Sequence, residues 1–253
     1  IEHMNVPNVN MPCSKRRFVN YNAYNYRKKG MSHEEAEAKA LELYERRMQQ
    51  RVKNPSELTL DECRFIGFFV CDGSISKAKN GGKMYTIAQS LANPKMCEWI
   101  ESLLDKIGIN YSVETRKPSS NIIMGRTCKV SDYKRYALFM GTGGDGQYIS
   151  STLHKFLPYL DKQGSDLYWG LNQEQFYALC DGMFKANGNH GNNKEYKGSW
   201  FIVNNKELAD LLQGIGTCRG FRVMVTAKQR NGFQTLYYIS VMKQRYHQLV
   251  REK

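Results

Sequence analysis

Phe65-Ile66-Gly67-Phe68-Phe69-Val70-Cys71-Asp72-Gly73 is the stretch whose reading decides the fold. Eight of its nine residues are apolar or small, and the one charge, Asp72, comes directly before a glycine. Thr59-Leu60-Asp61-Glu62 stands ahead of it, and Thr followed three residues later by Glu is a capping box that opens a helix. Beyond Gly73, strand-like segments at 74–79 and 83–90 flank an Asn80-Gly81-Gly82 turn. A helix from about Pro94 carries Trp99, Leu103, Leu104 and Ile107 on one face and stops at Gly108. Strands near 111–115 and 127–133 then lead to a helix near 149–160.

The same order recurs downstream, and internal repeats bear on the fold before any motif does. Asn172-Gln173-Glu174-Gln175 is a second cap, followed by Phe176-Tyr177-Ala178-Leu179-Cys180-Asp181-Gly182. Strand-like segments at 183–186 and 199–203 flank a Gly/Asn-rich turn, and a helix spans 206–215. Strands at 221–228 and 233–241 pair across Arg230-Asn231-Gly232, and a basic helix closes the chain. The order α-β-β-α-β-β-α thus occurs twice. The two Cys-Asp-Gly triplets place Asp72 and Asp181 109 residues apart, about one half-domain. The expected class is α+β, with segments 1–55, 56–165 and 166–253.

Residues 4–55 differ in texture. Ser14-Lys15-Arg16-Arg17 leads into Tyr21, Tyr24 and Tyr26, then Arg27-Lys28-Lys29-Gly30. Ser32 and Glu35 form a further capping box before a run whose Ala36, Ala40, Leu43 and Tyr44 fall at helical spacing. This reads as a basic arm plus one helix, either an accessory DNA-binding piece or a packed extension. Ile1-Glu2-His3-Met4 reads as an expression-vector scar ending in an initiator Met4.

Composition narrows the function. The 253 residues hold 37 Lys and Arg against 24 acids, a net +13, which favours a polyanionic partner through counterion release. The plain alternative is a soluble basic protein. Hydrophobic residues make up 41%, and no apolar run approaches a membrane span. Seven cysteines, odd in number and without Cys-x-x-Cys, argue against a disulfide framework and a zinc site, and for a reducing, intracellular compartment.

With both repeats in view, residues 56–253 resemble the LAGLIDADG homing endonuclease family in its single-chain, two-repeat form. The family motif maps onto 65–73 and, less closely, onto 174–182, where Phe176 stands at the place of Gly67 and the helix is about one turn shorter. The resemblance implies two pseudo-symmetric halves forming a DNA-binding saddle of antiparallel sheets. It makes Asp72 and Asp181 the catalytic, metal-holding acids, with the backbone carbonyls of Cys71 and Cys180 beside them. Physically, small residues such as Gly67 and Cys71 on one stripe let two helices cross closely. Two carboxylates brought together at helix C-termini repel one another, and a shared Mg²⁺ (Mn²⁺ or Ca²⁺ able to substitute) relieves this. One acid per half suits two phosphates on opposite strands.

The family also places polar groups around the metal, and Gln89, Asn204 and Lys162 match such positions. Its sheets lie along the major groove with alternate side chains on DNA. That implies contacts from Ser74, Ser76, Lys77, Lys79, Asn80, Lys83 and Thr86 in the first half. In the second half it implies Lys185, Asn187, Asn189, His190, Arg222, Lys228, Arg230 and Gln234. The activity implied is a double-strand break at a long asymmetric site, leaving short 3′ overhangs, by a monomer needing no protein partner or membrane. The alternative is a non-cleaving DNA- or RNA-binding relative, a maturase or regulator, which commonly lacks an acid.

Overall fold

The structure, a computed structural model, describes residues 13–49, 54–77, 83–120, 122–123, 126–127, 130–138, 152–190, 199–229 and 234–243. The chain divides into two compact units, 1–51 and 52–253. In the first, α1 (Cys13–Lys28) packs on α2 (His33–Gln49). The expected basic arm is therefore a helix. Val19 and Ala23 lie four apart, and with Tyr26 they give the Tyr/Asn-rich stretch an apolar face that meets Ala36 and Ala40. Gly30, at φ +91°, makes the turn between the helices. The Ser32–Glu35 capping box forms, with Glu35 N donating to Ser32 Oγ at 3.3 Å and Ser32 N donating to Glu35 Oε2 at 3.2 Å.

The second unit opens with α3 (Leu60–Asp72), β1 (Gly73–Lys77), β2 (Lys83–Ser90), α4 (Pro94–Lys106) and β3 (Tyr111–Arg116). A two-stranded ribbon of β4 (Ile122–Ile123) and β5 (Arg126–Thr127) follows, then β6 (Tyr133–Leu138) and α5 (Leu153–Phe156). Next come α6 (Gln173–Asn187), β7 (Gly188–His190), β8 (Ser199–Val203), α7 (Lys206–Cys218), β9 (Phe221–Lys228) and β10 (Leu236–Lys243). The two four-stranded sheets share one antiparallel topology, β1-β2-β6-β3 and β7-β8-β10-β9. The fold is α+β with two halves of matching order. Among the described residues no helix is long and apolar enough to cross a membrane.

Four sequence expectations need correction. The fourth strand of the first sheet is Tyr133–Leu138, because the alternation that buries Tyr136 and Leu138 begins there; part of 127–133 belongs to the small ribbon instead. The helix expected near 149–160 is described only as Leu153–Phe156 and a following 3-10 turn. The helix after β8 runs past Gly216 to Cys218. Most consequentially, 183–186 is not a strand: α6 continues through Asp181 and Gly182 to Asn187. The expected terminal helix lies outside the described residues.

α3 and α6 form the largest helix–helix contact in the molecule. Both start with capping boxes, Thr59 with Glu62 and Asn172 with Gln175. Both end at a glycine, Gly73 and Gly188, whose N–H donates to the carbonyl of Phe69 and Phe184 respectively. In each case the aromatic ring four residues earlier occupies the space a Cβ would need. Their N-termini lie together, since Gln175 Nε2 donates to the carbonyls of Pro55 at 3.1 Å and Leu58 at 2.7 Å. Their C-termini also lie together, lining one cleft, so the helices run parallel.

The crossing is backbone on backbone. A Cβ added to Gly67 would overlap the Leu179 carbonyl oxygen and stand 2.9 Å from its carbon. A Cβ added to Gly182 would overlap the Arg64 carbonyl oxygen and stand 2.8 Å from its carbon. The two contacts are reciprocal under a shift of 115 residues, which takes Gly67 to Gly182, Arg64 to Leu179 and Gly73 to Gly188. Gly182 therefore stands at the place of Gly67, where the motif alignment set Phe176. Around the crossing, Phe65, Ile66, Phe69, Phe176, Leu179 and Met183 are buried in a single core.

Gly67→Ala and Gly182→Ala should each destabilise the protein by about 3 kcal/mol, since backbone cannot yield as a flexible side chain can. Urea denaturation of the two variants checks this, and a loss below roughly 0.5 kcal/mol in either would contradict a close crossing.

Candidate nucleic-acid and metal site

At the C-terminal end of the helix pair lies a cleft of about 510 Å³, lined by residues that include Cys71, Lys162, Asn187 and Asn204. Asp72, half-buried, is the last residue of α3. The shift of 115 residues that relates the helices places Asn187 at the position of Asp72, as the last residue of α6. It likewise sets Lys185 opposite Val70 and Ala186 opposite Cys71. The site is asymmetric, with an acid at one helix end and an amide at the other.

The structure does not bring Asp181 to Asp72. Asp181 lies within α6, six residues before its end, where its Oδ2 accepts from Arg64 Nε at 3.0 Å. Arg64 is eight residues before Asp72, about 12 Å of helix. Arg64 also binds Asp61 at 2.6 Å, so Asp181 belongs to a small ion-pair group on the flank of the helix pair. The Cys180 carbonyl is likewise inside α6, in the helix's own hydrogen-bond ladder; Ala186 is the residue before Asn187. The Cys-Asp-Gly triplet misled because the second copy repeats it six residues early. Gln89 and Asn204 also stand 115 residues apart, the same shift that relates the two helices.

Lys162 comes to the site from the segment after α5. Its Nζ donates to the carbonyls of Phe69 and Val70, both at 2.8 Å, and so caps the negative end of α3. Burial holds the Lys162 ammonium below its ordinary range, opposed by the nearby Cys71 and Asp72. Burial raises the Asp72 carboxyl above the ordinary aspartate range, opposed by Lys162. The Cys71 thiol is pushed up to about 12, chiefly by burial, and stays protonated. What Cys71 can present to a cation is therefore its carbonyl.

Among the described residues no group of three or more His, Cys, Asp or Glu side chains could hold a metal. The cleft's polar lining is the Asn187 and Asn204 amides and the Lys162 ammonium, and the Asp72 carboxylate follows the lining residue Cys71 in the chain. A hard divalent cation such as Mg²⁺ prefers carboxylate and water oxygens, and the one carboxylate at this helix end is that of Asp72.

The sheet faces carry the remaining candidates. Ser74, Ser76, Lys77 and Lys83 are exposed, and by register Ser74 and Ser76 share the face opposite Tyr85 and Ile87. Thr86 shares that face but is only 7% exposed, because it sits on an inner strand between Ser74 and Ala137. As a base-reading residue it needs correction. Ile75 faces the core side with Tyr85 yet is 37% exposed, as the edge position of β1 dictates. In the second half Arg222 and Lys228 are exposed on β9, alternating at its start with buried Phe221 and Val223.

Gln234 is exposed and donates from Nε2 to the Asn204 carbonyl at 2.9 Å. Lys185 and Asn187 are exposed on α6 rather than on a strand or loop. Gln89 is half-buried, one residue before the end of β2. Lys79, Asn80 and Arg230 lie outside the described residues, and of Asn189 and His190 only the backbone, in β7, is described. Sequence reasoning missed Arg64 and the role of Asn187; the glycine spacing from Gly67 to Gly182 was the signal for both.

Residues 63–138 match the family described as LAGLIDADG-like domain. That match lies within the first half of the second unit, which is similar to a LAGLIDADG-like domain over this segment. Among solved structures, I-DmoI in complex with DNA and Mn is 14% identical, with 72% of this chain and 89% of that one covered and a TM-score of 0.45. The N-terminal LAGLIDADG domain of DUF199/WhiA is 14% identical, with 76% and 79% covered and a TM-score of 0.42. Full-length DUF199/WhiA from Thermatoga maritima is 13% identical, with 72% and 51% covered and a TM-score of 0.42. No curated protein matches the chain.

The raised Asp72 carboxyl has a consequence for stability. A folded-state value above the unfolded one contributes stability that is complete below the unfolded value and lost as pH rises through the folded value. In metal-free buffer Asp72→Asn should therefore raise the melting temperature at pH 8 and leave it unchanged at pH 3. Thermal melts in chelator at the two pH values test this; a lower melting temperature at pH 8 contradicts burial as the dominant cause.

Proposed function

We propose that this chain binds duplex DNA at a long, asymmetric site through the exposed faces of its two sheets. The cleft between the helix ends then lies against the phosphodiester backbone. The observation that carries this reading is the parallel helix pair ending at one cleft lined in part by Lys162, Asn187 and Asn204, in a chain of net charge +13 whose residues 63–138 match a LAGLIDADG-like domain. Exposed Lys77, Lys83, Arg222 and Lys228 supply cations on strands of both sheets. Halves of unlike sequence within one chain suit a monomer on a non-palindromic target. I-DmoI, by name a homing endonuclease, has been solved with DNA and Mn, which supports both DNA and a divalent cation as ligands here.

A divalent cation held by Asp72, the Cys71 carbonyl and water would supply Lewis-acid polarisation of a phosphoryl oxygen and a more acidic water. The chain's own part is positioning. Lys162 neutralises the carbonyls of Phe69 and Val70 and, with the Asn204 and Asn187 side of the cleft, shapes a pocket for a phosphate. A matched two-strand cut with 3′ overhangs would need the second acid that Asn187 replaces. The same substitution favours, as the second reading, a binder that does not cleave.

Selection from a random duplex library followed by gel shifts across a salt series tests the binding. Arg222→Ala and Lys228→Ala should each weaken binding to all sequences alike and flatten the salt slope by about 1. A chain that selects no duplex would overturn the proposal. Asp181→Ala should leave DNA affinity unchanged and lower stability by at most about 1 kcal/mol, because its ion pair with Arg64 is one-third exposed. A large loss of affinity would restore Asp181 to the site.

A further inference from the structure

We infer that the α1–α2 hairpin is a second DNA-contacting unit, in which an outward stripe of α1, Tyr21, Tyr24 and Lys28, lies on the phosphodiester backbone of duplex DNA. The inference takes its ligand from the DNA-binding reading above. Its surface lies in the first compact unit, outside the segment that matches a LAGLIDADG-like domain.

α1 has two faces. Val19, Ala23 and Tyr26 recur at spacings of four and three and pack with Ala36 and Ala40 of α2. Tyr21 stands two residues on from Val19, about 200° round the helix. Tyr24 and Lys28 follow Tyr21 at spacings of three and four, so they share its stripe. That stripe is turned to solvent: Tyr21 is 62% exposed, Tyr24 is 50% exposed, and Lys28 is exposed beside them. Two neighbouring phenol rings left in water forgo the stabilisation of burial, which contact with a partner restores. Lys28 Nζ lies 4.9 Å from the centre of the Tyr24 ring, so the ring holds the ammonium within the stripe. The Tyr/Asn-rich stretch is thus packed on one face and open on the other.

Charge divides between the two helices in the same sense. α1 carries five basic residues and no acid, whereas α2 carries five acids against three Lys and Arg. Lys29, just beyond α1, is exposed and adds a further cation. Among the described residues neither Lys28 nor Lys29 enters an ion pair. A polyanion is therefore attracted to α1 and repelled by α2, which orients the hairpin on it. From Tyr21 to Lys28 is about 10 Å of helix, and each strand of B-DNA carries one charge per about 3.4 Å of axis, so the stripe spans more than one phosphate. Phenol hydroxyls donate to phosphate oxygens and the ammonium neutralises them, contacts that fix position without reading sequence.

The test uses the full chain in gel shifts across a salt series, on the duplex it selects from a random library. Lys28→Ala should weaken binding about tenfold at about 0.1 M salt and flatten the salt slope by about 1, whereas Lys28→Arg should bind as wild type does. The double variant Tyr21→Ala/Tyr24→Ala should weaken binding about tenfold and leave the slope unchanged. Both losses should be alike on every duplex, and the selected sequence should stay the same. All three side chains are exposed, so melting temperatures near the wild-type value should accompany the loss. Wild-type affinity in Lys28→Ala and in the double variant would overturn the inference. A loss seen only with single-stranded oligonucleotides would also overturn it, by assigning the stripe to unpaired bases. Weaker binding by Arg222→Ala beside unchanged binding by the α1 variants would remove this inference and leave the DNA-binding reading standing. A chain that selects no duplex would remove both.

Discussion

Two helices whose backbones touch set the terms for everything else in the second unit. At the crossing of α3 and α6, Gly67 lies against the Leu179 carbonyl and Gly182 against Arg64, with no room for a side chain at either. Contact this close fixes the helices parallel and in one register, so residues a fixed distance beyond the glycines must arrive at the same level. The glycines are five residues before Asp72 and five before Asn187. The contents of the cleft follow from that equality.

The surroundings reinforce the register. Capping boxes start both helices, and the buried Gln175 amide ties the second helix to the chain entering the first through the carbonyls of Pro55 and Leu58. Aromatic packing then attaches each half to the pair, with Phe65 against Phe156 at 5.4 Å and Phe176 against Phe221 at 5.7 Å. The core is continuous across both halves. Charge is concentrated where the core ends. Lys162 serves the carbonyls that α3 leaves unsatisfied, and Asp72 stands beside it in a partly desolvated position.

Much of this was legible from local sequence. Thr59 with Glu62, Asn172 with Gln175 and Ser32 with Glu35 all form the caps their spacing predicts, because capping depends on residues three apart. Alternation located β2, β8 and β9, and Gly108, at φ +70°, ends α4 as expected. The arm at 13–28 was misjudged because its helical face, Val19 and Ala23 with Tyr26, is sparse and needs Ala36 and Ala40 to complete it. The site was misread by six residues. Cys-Asp-Gly in the second copy imitates the end of the first motif, yet it falls where the helix has more than a turn still to run.

By itself, the sequence determined the repeat, the α+β class, the buried helix ending in Asp72, and a basic surface suited to phosphate. These are properties of composition, periodicity and near neighbours, and they survive without knowledge of what packs on what. Only the tertiary structure decided which second-half residue stands at the position equivalent to Asp72. Register between two helices is set by steric contact at Gly67 and Gly182 rather than by any local preference, and that contact selects Asn187 while leaving Asp181 to Arg64.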